Sequence, residues 1–168
     1  MPELPDYESI YPKRFLPEVV FWADDMPRDI QIDDYGPSRL FAQQQGLMVE
    51  RIIMLDDVPI GTVTGRDYIE RTHQCTLGVV IADPKYWGHG YGTIAVRLFL
   101  EILYTTGVKL VVLETYANNK RAQKCFLSLG FVKRRVYFAA GSGRFVVEMI
   151  NQLPKTIDQL ASANAHRN

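Results

Sequence analysis

A glycine-rich run in the middle of the chain, Trp87-Gly88-His89-Gly90-Tyr91-Gly92-Thr93, separates two segments that differ in hydrophobic period. Before the run, the pattern of Thr72–Ala82 predicts a strand, and Asp83-Pro84 ends it because proline cannot donate to a strand ladder. After the run, Gly92–Thr106 carries apolar residues at helical spacing: Ile94, Ala95, Leu98, Phe99, Ile102 and Leu103. The sequence therefore predicts a strand, a glycine loop and a helix in direct succession.

The loop has the composition of an anion-binding turn. Glycines adopt backbone conformations that other residues resist, and they let a ligand approach the main chain closely. At a helix N-terminus the main-chain N–H groups point outward, and the helix dipole adds partial positive charge. A glycine-rich connector without a ligand is the alternative. The sequence has no G-x-x-x-x-G-K-[ST] run, and the alternation of Gly88, Gly90 and Gly92 does not fit the dinucleotide pattern G-x-G-x-x-G.

Composition narrows the class of protein. The length of 168 residues suits one domain, and equal numbers of basic and acidic residues, 19 of each, argue against a nucleic-acid partner. The apolar stretch Ile94–Tyr104 is interrupted by Arg97 and Glu101 and is too short to span a bilayer. The first residues carry no signal-peptide pattern, and the two isolated cysteines, Cys75 and Cys125, fit a reducing compartment. We therefore expect a cytoplasmic protein without a membrane partner.

The remaining patterns alternate between strand and helix. The proline-rich first residues are expected to have an extended backbone with only short structured pieces. Short helices are predicted at Leu16–Asp25 and Pro37–Gln45. Further elements follow in the order strand, strand, strand, helix and a last hairpin: Leu47–Leu55, Val58–Arg66, Lys109–Glu114, Asn119–Leu129, and Phe131–Ala140 with Arg144–Ile150. This order predicts an α/β (α+β) fold, with a central mixed twisted sheet of about six to seven strands flanked by about four helices. Residues 1–153 are expected to form the single domain, and residues 154–168 are expected to be a frayed tail.

Two motifs resemble those of the GNAT superfamily of acyl-CoA-dependent N-acetyltransferases. The glycine run resembles [QR]-x-x-G-x-[GA], with Trp87 at the Gln/Arg position. Downstream, the segment from Asn119 to Phe131 resembles N-x-x-A-x-x-x-Y-x-x-x-G-F, with Phe126 at the tyrosine position. The resemblance is clear over residues 58–131, and it is nearest to the branch that acetylates ribosomal-protein N-termini, polyamines and small amines.

The resemblance implies an acetyl-CoA co-substrate and no metal. The end of the third strand would lie apart from the next strand, and the pantetheine arm would bond to its backbone like an extra strand. The glycine loop would hold the pyrophosphate, and the following segment would flank the pantetheine and the thioester. The implied cofactor-binding residues are Val80, Ile81, Ala82, Trp87, Gly88, His89, Gly90, Tyr91, Gly92, Thr93, Asn119, Arg121, Lys124 and Phe126.

Transfer of an acetyl group from a thioester to an amine requires a base that removes a proton from the amine. In the branch that acetylates ribosomal-protein alanine, a catalytic glutamate begins an E-x-x-x-x-N pattern, which here is Glu114…Asn119, so the resemblance implies Glu114 as the base. A solvated or salt-bridged glutamate at a strand end is the alternative interpretation. Asp67, Glu70 and His73, which flank the third strand, are further candidates.

The general acid is less well defined. Many relatives have tyrosine where this chain has Phe126, and phenylalanine cannot protonate a thiolate. Either the reaction needs no protein acid, since a thiolate is a stable leaving group, or Tyr116 or Tyr137 reaches the site. We take Tyr137 as the candidate acid.

The sequence thus predicts an N-acetyltransferase that acts on a primary amine by direct attack in a ternary complex. The acceptor is a protein N-terminus, a polyamine or another small amine, and a catalytically silent acyl-CoA-binding module is the alternative function. Five aspartates in the N-terminal part could form an acidic pocket that suits a polyamine, or could simply be solvated: Asp24, Asp25, Asp29, Asp33 and Asp34. The apolar last hairpin could pair with a second copy to give a homodimer.

Overall fold

A computed structural model describes residues 2–22 and 32–153 of the chain. These residues form one six-stranded sheet in the order β1-β2-β3-β4-β6-β5. The strands are β1 Met48–Leu55, β2 Val58–Ile69, β3 Gln74–Ile81, β4 Leu110–Tyr116, β5 Val132–Ala139 and β6 Arg144–Gln152. The pairing of β3 with β4 is parallel, and the other four pairings are antiparallel. The mixed α/β sheet predicted from the sequence is confirmed.

Five α-helices flank the sheet within the described ranges. They are α1 Leu4–Arg14, α2 Pro17–Trp22, α3 Ile32–Gln44, α4 Tyr91–Thr105 and α5 Lys120–Ser128. The side chains that α4 buries, among them Val96, Phe99 and Leu103, belong to the main apolar core together with Leu77 of β3 and Val111 of β4. The helix after the glycine loop is therefore fixed to the strands that meet at the centre of the sheet.

The first residues form a helix, so the expectation of an extended segment is wrong. Pro5 lies in the first turn of α1, where a missing N–H costs nothing because it has no intrahelical acceptor. Asp6 accepts a hydrogen bond from the backbone N–H of Glu3 at 2.9 Å and so caps the same turn. Tyr7 and Ile10 are buried at helical spacing. Packing of this face outweighs the density of prolines.

Several element boundaries differ from the predicted ones. Helix α3 begins at Ile32 and contains Pro37, which was predicted to start it. Strand β2 continues to Ile69, and β3 begins at Gln74 because a 3₁₀ turn ending at His73, in the left-handed region at φ 49°, lies between them. Of the helix predicted at Leu16–Asp25, residues 17–22 are helical, whereas residues 23–25 lie outside the described ranges.

The N-terminal helices are joined to the sheet through a buried carboxylate. Glu50 on β1 is fully buried and accepts hydrogen bonds from Tyr7 at 2.6 Å and from Thr64 at 2.9 Å. Arg39 of α3 forms an ion pair with the same carboxylate. Burial and the neighbouring Glu50 charge raise the pKa of Tyr7, so its hydroxyl remains a donor. A polar network thus connects α1 and α3 to β1 and β2.

We predict that Glu50→Gln destabilises the protein by about 3–5 kcal/mol, because it leaves the Arg39 guanidinium partly buried beside a neutral partner. Urea unfolding followed by circular dichroism measures the change. Glu18→Gln, at an exposed position of α2, is the matched control and should change the free energy of unfolding by less than about 0.5 kcal/mol. Equal effects of the two substitutions would contradict the role of the network.

Candidate active site

The site is built where β3 and β4 separate. Their parallel register has three positions, from Gln74 opposite Leu110 to Thr76 opposite Val112, and the rest of β3 pairs only with β2 within the described residues. A cleft of about 1090 Å³ opens beyond this point, lined by the free side of β3, by β4 and by the starts of α4 and α5. The predicted separation of these strands is confirmed.

The glycine loop forms one end of the cleft. Gly88 and Gly90 have φ angles of 82° and 85°, in the left-handed region that favours glycine. Gly90 is the N-cap of α4, and the first intrahelical bond runs from the N–H of Ile94 to its carbonyl at 3.0 Å. The N–H groups at the start of α4 precede this bond and have no intrahelical acceptor, so they are available to an anion.

The structure brings most of the predicted loop residues to the cleft, but two predicted residues lie elsewhere. The loop residues that line it are Trp87, Gly88, Gly90, Tyr91, Gly92 and Thr93. His89 is exposed outside the lining, and its ring centroid lies 5.8 Å from that of Tyr91. Ala82 is fully buried, and its N–H donates to the carbonyl of Ile60 at 2.9 Å. The backbone N–H of Ala82 is therefore bonded to the segment of β2, and Ala82 lies outside the lining of the cleft.

Trp87 ties the loop to the end of β3. Its indole Nε1 donates to the backbone carbonyl of Ile81 at 2.9 Å, and its ring carries the guanidinium of Arg121 at 4.0 Å from the centroid. The Trp87 side chain thus binds the backbone carbonyl nearest the loop, whereas Val79 and Val80 line the cleft. Burial lowers the pKa of Arg121, but a guanidinium remains charged at neutral pH.

Helix α5 forms the second wall of the cleft. Asn119 is its N-cap and accepts a hydrogen bond from the N–H of Ala122 at 3.1 Å. The residue that the resemblance assigns to a pantetheine contact therefore also has a structural role. Lys124 is exposed at the cleft, whereas Phe126 is buried with its ring 5.7 Å from that of Phe131. Each of the four predicted α5-segment residues, Asn119, Arg121, Lys124 and Phe126, lies on this wall.

Sequence reasoning missed Gln123. Its side chain is buried and donates to the backbone carbonyls of Tyr116 at 3.1 Å and Ala117 at 2.9 Å. These bonds fix α5 to the end of β4. A glutamine among the apolar positions of an amphipathic helix was the available signal, since a buried amide requires partners.

Glu114 is exposed on β4 and lines the cleft two residues beyond Val112, where the ladder with β3 ends, whereas the glycine loop follows the other end of the free segment of β3. The Tyr137 hydroxyl donates to its Oε1 at 2.5 Å. This bond, followed by burial and the Glu114 charge, raises the pKa of Tyr137 to about 12. Tyr137 therefore keeps its proton at neutral pH, but it lies outside the residues that line the cleft and behind the carboxylate.

The other acidic and histidine candidates do not line the cleft. Asp67 forms an ion pair with Arg66 at 3.4 Å, and His73 Nδ1 lies 3.0 Å from the Tyr68 hydroxyl. Neither they nor Glu70 line the cleft. Tyr116 does line it. Of the acidic group considered for a polyamine, Asp24, Asp25 and Asp29 lie outside the described residues, as does the side chain of Asp33, and Asp34 is exposed.

An arginine that no motif indicated joins α2 to the strands beside the cleft. Arg144 of β6 donates to the carbonyl of Phe21 at 2.6 Å, and its guanidinium lies 3.4 Å from the Tyr116 ring centroid and 4.2 Å from that of Phe21. This contact holds α2 against β4 and β6, and it brings Val19 and Trp22 into the lining. The contact joins positions 123 residues apart, so no local pattern could have revealed it.

The residues that the structure describes contain no group of three or more His, Cys, Asp or Glu side chains placed to hold a metal ion. None of their helices combines the length and the apolar character needed to cross a membrane.

A family model for GNAT acetyltransferases matches residues 6–131, more than half of the chain. The chain belongs to the GNAT acetyltransferase family. The match spans both motifs and the elements between them, helix α4 and strand β4. No curated protein sequence matches the chain significantly.

Solved structures share the fold of this GNAT domain. RimJ from Mycobacterium smegmatis, in complex with CoA-disulfide, is 14% identical with a TM-score of 0.80, over 98% of this chain and 87% of that one. Ribosomal-protein-S5-alanine acetyltransferase from Vibrio fischeri is 15% identical with a TM-score of 0.78, over 92% of both chains. A variant of the spermidine N-acetyltransferase SpeG from Vibrio cholerae is 15% identical with a TM-score of 0.74, over 90% and 92%. At such identities the likeness extends to the fold.

We predict that Tyr137 of this GNAT domain remains largely neutral at about pH 11 and is more ionised there in Glu114→Gln, because the substitution removes the hydrogen bond to the carboxylate and the carboxylate charge, which both oppose the phenolate. The groups that face Tyr137 are Glu114 on β4, Arg135 on β5 and Glu148 on β6. The ¹³Cζ resonance of labelled tyrosine measures its protonation. An identical titration in both proteins would show that the hydrogen bond is not formed in solution.

Proposed function

We propose that this chain transfers an acetyl group from acetyl-CoA to a primary amine by direct attack in a ternary complex. One observation carries the proposal: a single cleft between separated strands joins the free N–H groups of the α4 N-terminus to the Glu114 carboxylate. An anion site and a base at opposite ends of one cleft are what a phosphorylated thioester and an amine require. The membership of the GNAT family supports the same reaction.

The residues present fit acetyl-CoA. A Cβ placed on Gly88 or Gly90 would meet no atom within 4 Å, so the space above the loop is open to a pyrophosphate. Arg121 and Lys124 add positive charge beside it. The cleft volume of about 1090 Å³ exceeds the roughly 300–1,000 Å³ of an ordinary ligand pocket, which suits a long thioester together with its acceptor.

The chemistry assigned to Glu114 is removal of the amine proton, directly or through one water. The amine nitrogen then attacks the thioester carbonyl, the carbon–sulfur bond breaks, and the thiolate leaves with the electron pair. The surplus proton that remains on nitrogen is lost to water. Phe126 offers no proton to that thiolate. The role of Tyr137 as the acid stays a prediction, because its hydroxyl is directed at Glu114 and not at the cleft.

The acceptor class stays open among a protein N-terminus, a polyamine and another small amine. The names of the structural neighbours include a ribosomal-protein alanine acetyltransferase and a spermidine acetyltransferase, which justify two members of a test panel. The cleft near Glu114 is lined by Trp22, Tyr116 and Val146. The homodimer also stays a prediction, motivated by Val136, Phe138 and Phe145, which are exposed on the last hairpin. The cytoplasmic location stays a prediction from the sequence.

A catalytically silent acyl-CoA-binding module is the second candidate, and the buried Phe126 in place of tyrosine is the observation that favours it. A thiol-release assay with acetyl-CoA and a panel of N-terminal peptides, spermidine and small amines separates the two functions. Turnover with any acceptor supports the enzyme. Calorimetric binding of acetyl-CoA without turnover on the whole panel supports the silent module.

We predict that Glu114→Gln lowers kcat by about 100-fold or more, since a positioned base contributes on the order of 10²–10⁴ to the rate. The acetyl-CoA dissociation constant should stay unchanged, because the carboxylate lies at the far end of the cleft. Glu70→Gln is the matched control, as Glu70 is an exposed alternative candidate outside the cleft. A large loss of kcat in Glu70→Gln with full activity in Glu114→Gln would move the base to Glu70.

We predict that Trp87→Phe weakens acetyl-CoA binding by about 2- to 10-fold. The substitution keeps a ring beneath Arg121 but removes the indole bond to Ile81, and such a bond contributes about 0.5–1.5 kcal/mol. Isothermal titration calorimetry measures the dissociation constant. Trp22→Phe is the comparison: it should alter the amine KM and leave acetyl-CoA binding unchanged, and the reverse pattern would contradict the assignment of the two ends of the cleft.

A further inference from the structure

A row of charged residues crosses the three strands beside the cleft. Glu114 on β4 lies opposite Glu148 on β6, and Glu148 lies opposite Arg135 on β5. Residues directly opposite each other in antiparallel strands project from the same face of the sheet. The candidate base therefore belongs to a row that continues away from the cleft.

A β-bulge brings two arginines to one end of this row. Lys133 pairs with Met149 and Arg135 pairs with Glu148, so Arg134 is an inserted residue without its own partner position. Arg135 donates to Glu148 Oε2 from Nε at 3.2 Å and from Nη2 at 2.7 Å. Arg134 Nη1 lies 3.4 Å from Oε1 of the same carboxylate.

The two arginines offset an unfavourable pair of charges. The Glu148 side chain is 6% exposed and stands one strand away from Glu114, and like charges directly opposite each other are destabilising. With both guanidiniums present, the four charges of Glu114, Glu148, Arg134 and Arg135 sum to zero. The positive charges of the two arginines therefore offset the repulsion between the exposed Glu114 carboxylate and the buried Glu148 carboxylate.

Arg135 also reaches Tyr137, two residues further along the same face of β5. Its guanidinium carbon lies 5.0 Å from the Tyr137 ring centroid, within cation–π distance. Tyr137 in turn donates to Glu114. A continuous series of contacts thus runs from the buried Glu148 through Arg135 and Tyr137 to the carboxylate in the cleft.

We propose that Arg135 and Glu148 are positioning residues that act through Tyr137 to hold the Glu114 carboxylate in one orientation in the cleft. The inference rests on the proposed role of Glu114 as the base. An exposed glutamate has several rotatable bonds, whereas a base must lie within hydrogen-bond reach of the proton it removes. A displacement of about 1 Å can cost on the order of 100-fold in rate, so a support of this kind has a large kinetic effect.

A double-mutant cycle tests the series of contacts. Tyr137→Phe and Arg135→Met should each lower kcat by about 10-fold and leave the KM for acetyl-CoA unchanged. In Arg135→Met/Tyr137→Phe the loss should be no greater than in Tyr137→Phe alone, because both changes remove the same support. Losses that multiply, or a raised KM for acetyl-CoA at full kcat, would overturn the proposal.

Two further variants separate positioning from a general effect of charge or folding. Arg135→Lys keeps the charge and should recover part of the kcat lost in Arg135→Met. Lys133→Met removes a charge from the same strand, but Lys133 lies opposite Met149 on the other face of the sheet, so its kcat should equal that of the native protein. A loss in Lys133→Met equal to that in Arg135→Met would contradict the proposal.

A spectroscopic measurement makes the inference independent of the acceptor. At about pH 8 the ¹³Cζ resonance of Tyr137 in Arg135→Met should move toward its position in Glu114→Gln, since both substitutions loosen the same hydrogen bond. An unmoved resonance would overturn the positioning role. If the native protein acetylates no amine while the resonance moves as expected, the proposed function fails and the contact series stands.

Discussion

The parallel ladder between β3 and β4 is only three positions long, and the candidate site depends on the place where it stops. Two side chains fix the ends of the separated strands. The Trp87 indole holds the carbonyl of Ile81 at the end of β3, and the Gln123 amide holds the carbonyls of Tyr116 and Ala117 after β4. Because backbone groups exposed by the separation require partners, these three hydrogen bonds let an open cleft exist in a packed sheet.

The features predicted correctly are those encoded by neighbouring residues. The glycine loop, the strand before it and the helix after it follow from conformational freedom and hydrophobic period within about 30 residues. The turn at Asp56 and Asp57, between the strands predicted at Leu47–Leu55 and Val58–Arg66, is equally local, and both residues have positive φ angles, 46° and 63°. Helix α1 does not follow from the local sequence, because the density of prolines favours extended backbone, whereas the burial of Tyr7 and Ile10 that stabilises the helix is a tertiary effect.

The candidate site shows the same division. The motifs indicate the walls of the cleft, but three contacts join segments that are distant in sequence. They are the hydrogen bond from Tyr137 to Glu114, the hydrogen bond from Arg144 to Phe21 and the stacking of Arg121 on Trp87. The last contact bears on the departure from the family motif. The motif has Gln or Arg at the position of Trp87. In this chain the guanidinium of Arg121, which belongs to α5, lies over the Trp87 ring.

The bulge at Arg134 has a consequence for association as well. β5 is an outer strand of the sheet, and its side chains Val132, Val136 and Phe138 are exposed and apolar. A regular apolar strand in that position would be a template onto which a strand of another molecule could add. The inserted arginine interrupts the hydrogen-bonding repeat and places charge there, so strand-to-strand growth into aggregates is disfavoured at the border of the sheet.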